Sequence, residues 1–145
     1  MLKLIKKKTL KLVKDNFKSS YMDRYYLWFT TRVSVNVLSS SDMEMHSHPW
    51  DYTTIVLWGG YKETTLNGTK TYGVGSIIKH KHSEFHSLEL IKDKCITLFF
   101  ASKPKVKSTT FLINGKIVND LKYQLSQCKT IAQKKRVVQG YKDIL

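Results

Sequence analysis

From Tyr25 to Val118 the chain is cut into short β-branched and aromatic runs by turn signals, and this punctuation limits its fold more than any other feature. Tyr25–Phe29 and Val33–Leu38 come first, followed by the polar loop Ser39–Asp42. His46–Trp58 then runs to a Gly59-Gly60 break, and Tyr61–Leu66 to an Asn67-Gly68 turn before Lys70–Tyr72. Beyond Gly73-Val74-Gly75 lie Ser76–His80, Phe85–Ile91 and Ile96–Phe100. Phe111–Ile113 and Lys116–Val118 flank a second Asn-Gly, at Asn114-Gly115. Branched and aromatic side chains suit a pleated, half-buried surface. Asn-Gly supplies the positive φ angles of a tight hairpin. Many short strands at regular spacing predict a mostly β domain, a sandwich or barrel.

The ends differ in kind. Leu2, Ile5, Leu10, Val13 and Phe17 fit a helical face, although Leu2-Leu4 and Leu10-Leu12 also fit strands. Leu121, Leu125, Cys128 and Ala132 share one helical face, with Asp120 as a candidate N-cap and Gly140 near a stop. The expected organisation is a basic N-terminal element over 1–24, a β-domain over 25–119 and a basic helical extension over 120–145. Most of the net charge of +14 lies at these ends. Between His46 and Ile91 the signs balance, Lys62, Lys70, Lys79 and Lys81 against Asp51, Glu63, Glu84 and Glu89. Such ends attract polyanions, so weak association with nucleic acid is one expectation. The plainer reading is a solvated surface, because lysine far outnumbers arginine, the better fork for phosphate. Cys95 and Cys128 lack metal or redox spacing and read as reduced thiols. Lysines interrupt every N-terminal apolar stretch, so no secretory leader and no transmembrane segment is expected, and the expected location is the cytoplasm.

Chemistry concentrates in His46-Ser47-His48-Pro49-Trp50-Asp51-Tyr52. Alternation along a strand puts His46 and His48 on one face, about 7 Å apart along the chain. Two imidazoles so placed can grip one ion, and imidazole suits iron, zinc, copper and nickel. His86, sharing its face with Leu88 and Leu90, is the candidate third ligand. His80 and His82 fall in or beside a Lys-rich turn and are expected to be exposed. Tyr52, Thr54 and Val56 are expected to face inward with the histidines, and Trp50, Trp58, Tyr61 and Phe85 are candidates for an aromatic pocket wall or for ordinary core.

These two stretches, His46 to Gly59 and Gly75 to His86, resemble the two conserved motifs of the cupin superfamily. The first is a His-x-His pair, a strand and a glycine. The second is a glycine, a strand, a turn and a histidine. More narrowly, His-x-His-Pro-Trp-Asp followed by Leu57-Trp58-Gly59-Gly60-Tyr61-Lys62-Glu63 resembles small, mostly uncharacterised cupins encoded by bacteria and their viruses. The resemblance covers Tyr25 to Val118. It implies a single cupin-type jelly-roll barrel with terminal helical segments. It also implies a divalent transition metal (iron, manganese, nickel or zinc) and a small-molecule ligand in the barrel, with pairing into homodimers.

The chain departs from that family at the position four residues after the second histidine, where a glutamate is common and Tyr52 stands here. An oxygen ligand would then come from Asp51 or Glu63, or the site keeps three histidines and open positions. Glu63, which shares a face with Tyr61, is also a candidate general base, and either of the two could manage protons. The functional expectation is a metal-dependent enzyme, an oxygenase of the dioxygenase type, an isomerase or a lyase. The competing expectations are a non-catalytic barrel holding a small anion such as a nucleotide or sugar, and a basic nucleic-acid-associated protein.

Overall fold

The computed structural model describes residues 5–11, 20–27, 30, 32–42, 44–119, 122, 125, 130–132, 134 and 135. Its strands are β1 (Ile5–Lys11), β2 (Ser20–Leu27), β3 (Val33–Leu38), β4 (Met45–His46), β5 (Tyr52–Trp58) and β6 (Tyr61–Thr65). They continue with β7 (Gly68–Tyr72), β8 (Ile77–His80), β9 (His86–Leu90), β10 (Cys95–Ala101), β11 (Thr110–Ile113) and β12 (Lys116–Asn119). Both Asn-Gly pairs form hairpins, β6–β7 and β11–β12. Two six-stranded antiparallel sheets result, ordered β1-β2-β3-β10-β5-β8 and β12-β11-β4-β9-β6-β7. The protein is therefore mostly β, as its punctuation predicts.

Ile5–Lys11 form a strand rather than a helix. Ile5 to Leu10 pair with Leu27 to Met22, making β1 an outer strand of the first sheet. Leu2, Val13, Phe17, Trp28 and Phe29 lie outside the described residues. At the other end Lys122, Leu125, Ile131, Ala132, Lys134 and Lys135 are helical in backbone, whereas Asp120, Leu121, Cys128 and Gly140 lie outside the described residues. The capping bond that is present comes from Asn119, whose Oδ1 accepts the Lys122 amide at 2.8 Å.

The run His46–Trp58 is two strands, not one. Proline 49 has no amide to donate to a ladder, and the chain leaves the second sheet there to enter the first as β5. On β5 the burial alternates, with Tyr52, Thr54 and Val56 turned inward. Between the sheets Met22, Leu38, Val56, Tyr61, Ile78 and Cys95 form an apolar cluster, flanked by Tyr72, Leu88 and Leu90. Tyr52 and Phe99 are buried outside that cluster, together with the polar residues Arg24, Ser34, Asn36, Ser47, Thr54, Glu63, His86 and Thr97. One part of the interior thus holds the fold by apolar burial, and the other carries groups that need partners.

The β5–β6 turn depends on two glycines. Gly59 and Gly60 have φ of 80° and 111°. A Cβ on Gly59 would lie 2.3 Å from the Lys94 carbonyl oxygen, and one on Gly60 would lie 2.5 Å from that of Tyr72. Nothing within 4 Å would meet a Cβ on Gly73, whose φ is not positive. Gly59→Ala is expected to destabilise the fold by about 2 kcal/mol or more. Gly73→Ala is expected to stay within about 0.5 kcal/mol of the parent. Urea unfolding of the two variants beside the parent checks the contrast.

Candidate metal centre

The register of the second sheet assembles the histidines. β4 pairs with β9 so that His46 stands opposite His86, and β6 pairs with β9 on the other side, setting Glu63 opposite Leu88 and Thr65 opposite His86. His48 follows β4 directly. The ring centroids of His46, His48 and His86 stand 4.9, 4.9 and 5.1 Å apart. One ligand atom from each lies within 4.8 Å of the others. Nε2 of His48 is 3.0 Å from Nε2 of His86. Two nitrogens each about 2.1 Å from one ion and at a right angle would stand about 3.0 Å apart, so the pair is already at chelating distance.

A buried carboxylate orients this set. Glu63, 2 % exposed, accepts the Nδ1–H of His86 on Oε1 at 2.6 Å. With Nδ1 protonated, the His86 lone pair sits on Nε2 and faces His48. This is the usual support for a metal-binding imidazole. Burial opposes charge on Glu63, but the contacts from His80 and His86 outweigh it and hold its carboxyl down to about 2. His48 is driven well below its ordinary pKa, first by burial and then by His46, His86, Arg24 and His80, which favours the neutral, ligating form.

The first sheet contributes two more groups. His80 ends β8 opposite Tyr52, the first residue of β5. The hydroxyl of Tyr52 is 3.3 Å from Nδ1 and 3.2 Å from Nε2 of His86, beside the ring edge between them. Its pKa is raised well above that of free tyrosine by burial and then by the Glu63 charge, so the phenol keeps its proton. His80 Nδ1 meets Glu84 Oε2 at 2.5 Å, and Nε2 lies 2.8 Å from Glu63 Oε1. The second contact has ion-pair distance, yet the ring N–H axis misses the oxygen, and Nε2 has no hydrogen bond. We therefore treat it as an ion pair. Burial opposes charge on His80, but Glu63 and Glu84 outweigh it and raise its pKa. Glu63, His80 and His86 make a second set of clustered ligand atoms that shares His86 with the first. Glu84 borders an open cleft of about 490 Å³, lined also by Tyr52, His80, Lys79 and Lys81.

His80 is the residue that the sequence pattern conceals. Its lysine neighbours suggest an exposed turn, but β8 extends to His80 and alternation turns its side chain inward, 10 % exposed, while Lys79 and Lys81 face out. Its spacing from Ile78, a buried residue of the same strand, is the signal that would have found it. His82 is half-buried and donates from its backbone amide to Asp51 Oδ1 at 2.9 Å, with Nδ1 3.0 Å from the same oxygen. Asp51 joins neither ligand cluster; its Oδ2 is 2.9 Å from the ammonium of Lys105 and 3.8 Å from that of Lys81. Tyr61 packs in the apolar cluster with its ring 5.9 Å from Tyr72. Trp50 stacks on His48 at 6.2 Å and leaves its buried indole N–H without an acceptor. Trp58 is exposed beneath the ammonium of Lys92, 4.6 Å from its ring.

No family model matches the chain, and no curated protein matches it in sequence. Solved structures match its shape. A sugar phosphate isomerase of the cupin superfamily from Silicibacter pomeroyi aligns over 79 % of this chain and 87 % of its own, with a TM-score of 0.51 and 12 % identity. The chain has the cupin fold. Iron(II) HppE aligns over 67 % of this chain at a TM-score of 0.50 and 14 % identity. The DMSP lyase DddQ from Ruegeria pomeroyi aligns over 55 % at 0.45 and 13 %. This cupin-fold chain spans 57 % of the first and 43 % of the second, about half of each. The donor chemistry within the cupin fold here suits a transition metal: clustered imidazoles and a His86 ring oriented by a buried carboxylate.

The Asp51 carboxyl is held below the usual carboxylate range, first by its bond to Lys105 and then by the two from His82. A depressed folded-state pKa gives stability that is present above the unfolded value, about 3.9, and fades as pH falls below it. Asp51→Asn is expected to unfold at lower urea than the parent at pH 7. The gap should narrow at pH 3, where both proteins still share the acid sensitivity of Glu63.

Proposed function

We propose that this chain is a metal-dependent enzyme, holding a divalent transition ion on His46, His48 and His86 and acting on a small molecule beside them. The convergence of three imidazoles, two with Nε2 atoms 3.0 Å apart, carries the reading. Iron, manganese, nickel or zinc bound there would supply a Lewis acid that polarises a chelating oxygen of the substrate. Three histidines leave positions open for such an oxygen.

The chain's own residues provide the rest. Glu63 holds the proton of His86 Nδ1 and so keeps Nε2 directed at the site. Tyr52, protonated and beside His86, offers a hydrogen bond to bound substrate. His80 borders the cleft, with Nδ1 on Glu84 at 2.5 Å and its charge favoured by Glu63 and Glu84. A protonated imidazole there can give a proton to a substrate in the cleft and recover it through Glu84. That favours proton-transfer chemistry of the isomerase or lyase kind over the dioxygenase expectation. Lys79 and Lys81 beside the cleft favour an anionic substrate.

Metal analysis of protein purified without added metal tests the class. The expected result is about one ion per chain, lost in His48→Ala and His86→Ala. Glu63→Gln is expected to fold and to bind the ion about 10- to 100-fold more weakly, measured by competition with a chelator. A folded protein with no affinity for iron, manganese, nickel or zinc would overturn the reading.

A further inference from the structure

We propose that Arg24 anchors an oxyanion group, a carboxylate or a phosphate, of the small molecule that reaches the three histidines; the assignment rests on the proposed function and names its substrate class. Arg24 lies on β2 opposite Asn36 of β3 and is turned inward, 7 % exposed. Its Nε donates to Asn36 Oδ1 at 3.0 Å, and Ser34 Oγ donates to the same oxygen at 3.0 Å. The guanidinium carbon is 5.0 Å from the Phe99 ring centre. Phe99 stacks on Tyr52 at 5.1 Å, and Tyr52 meets His48 at 4.9 Å. One aromatic wall therefore runs from the guanidinium to the histidines.

Among the described residues nothing answers the charge of Arg24 with a charge of its own. A guanidinium does not shed its proton, and burying an uncompensated cation is costly. Among the described residues no carboxylate forms an ion pair with it. Glu63 is taken by His80 and His86, and Asp51 by Lys105, Lys81 and His82. Asn36 is neutral and engages only Nε, which leaves the two terminal nitrogens of the fork. A dication on the histidines would make this region more positive still. The missing counter-charge is then an anion from outside. Carboxylate and phosphate match the planar fork with two parallel hydrogen bonds. A molecule carrying such a group would be oriented with one end on Arg24 and its reacting end toward the histidines, which is how fixed binding energy serves a reaction.

Cobalt(II)-loaded protein, titrated with malonate and with inorganic phosphate, tests the assignment by calorimetry and by the visible spectrum of the ion. The parent is expected to bind at least one of the two probes, and the preferred one identifies the oxyanion. Arg24→Met is expected to weaken that binding by at least about 30-fold while cobalt loading is unchanged. Arg24→Lys, which keeps the charge and loses the fork, is expected to fall between them. Repeating the titration on metal-free protein separates this claim from the metal reading. An anion that raises the melting temperature of the metal-free parent but not of Arg24→Met upholds Arg24 even if no ion loads. Equal affinity of parent, Arg24→Met and Arg24→Lys for both probes overturns the proposal. So does a parent that binds neither probe with or without cobalt. If Arg24→Met does not fold, Arg24→Lys decides by the same comparison.

Discussion

Glu63 is the constraint on which the site depends. Its carboxylate is buried between two imidazoles, one from each sheet: His86 on β9 and His80 on β8. A carboxylate in that position would be prohibitively unfavourable without those partners. With them it does two things. It decides which nitrogen of His86 carries the proton, and so which one is offered to His46 and His48. It also links the sheets through charge at a place where apolar packing gives way to polar groups. The register of β4, β9 and β6 puts these side chains in reach, and a slip of one residue would turn every one of them to the opposite face.

The interior is divided accordingly. Val56, Ile78, Cys95 and their neighbours bury apolar surface and need nothing more. Arg24, Asn36, Ser34, Glu63 and His86 are buried at the expense of that packing, and their hydrogen bonds recover only part of the cost. Groups of this kind in a small cupin-fold domain are what the proposed site is built from. The fold itself hosts many chemistries, so the argument for function stands on these residues.

Much of this arrangement was legible in the sequence. Asn114-Gly115 announced its hairpin because both residues take positive φ in a two-residue turn, whereas at Asn67-Gly68 the turn residues are Leu66 and Asn67 and Gly68, at φ 130°, opens β7. The His46, His48 and His86 cluster followed from alternation and from the resemblance to the cupin motifs. What alternation could not supply was where a strand ends. Pro49 divides one apparent strand into two that belong to different sheets, so the parity of Asp51 relative to His48 has no meaning across it. His80 was hidden at a strand end: it closes the run Ser76–His80 beside a basic turn, and only its pairing with Tyr52 in the ladder to β5 shows that it turns inward. Nor can a linear pattern show that Arg24 faces Phe99 and lacks an acid, because that depends on how distant strands stack.

The central claim is that three imidazoles, one of them oriented by Glu63, share one ion. X-ray absorption at the metal edge of the zinc-loaded protein tests it most directly. The account predicts a shell of three imidazole nitrogens at about 2.0 to 2.1 Å, with the outer-ring scattering of coordinated histidine. A first shell made only of oxygen, or one holding a single imidazole, would contradict it.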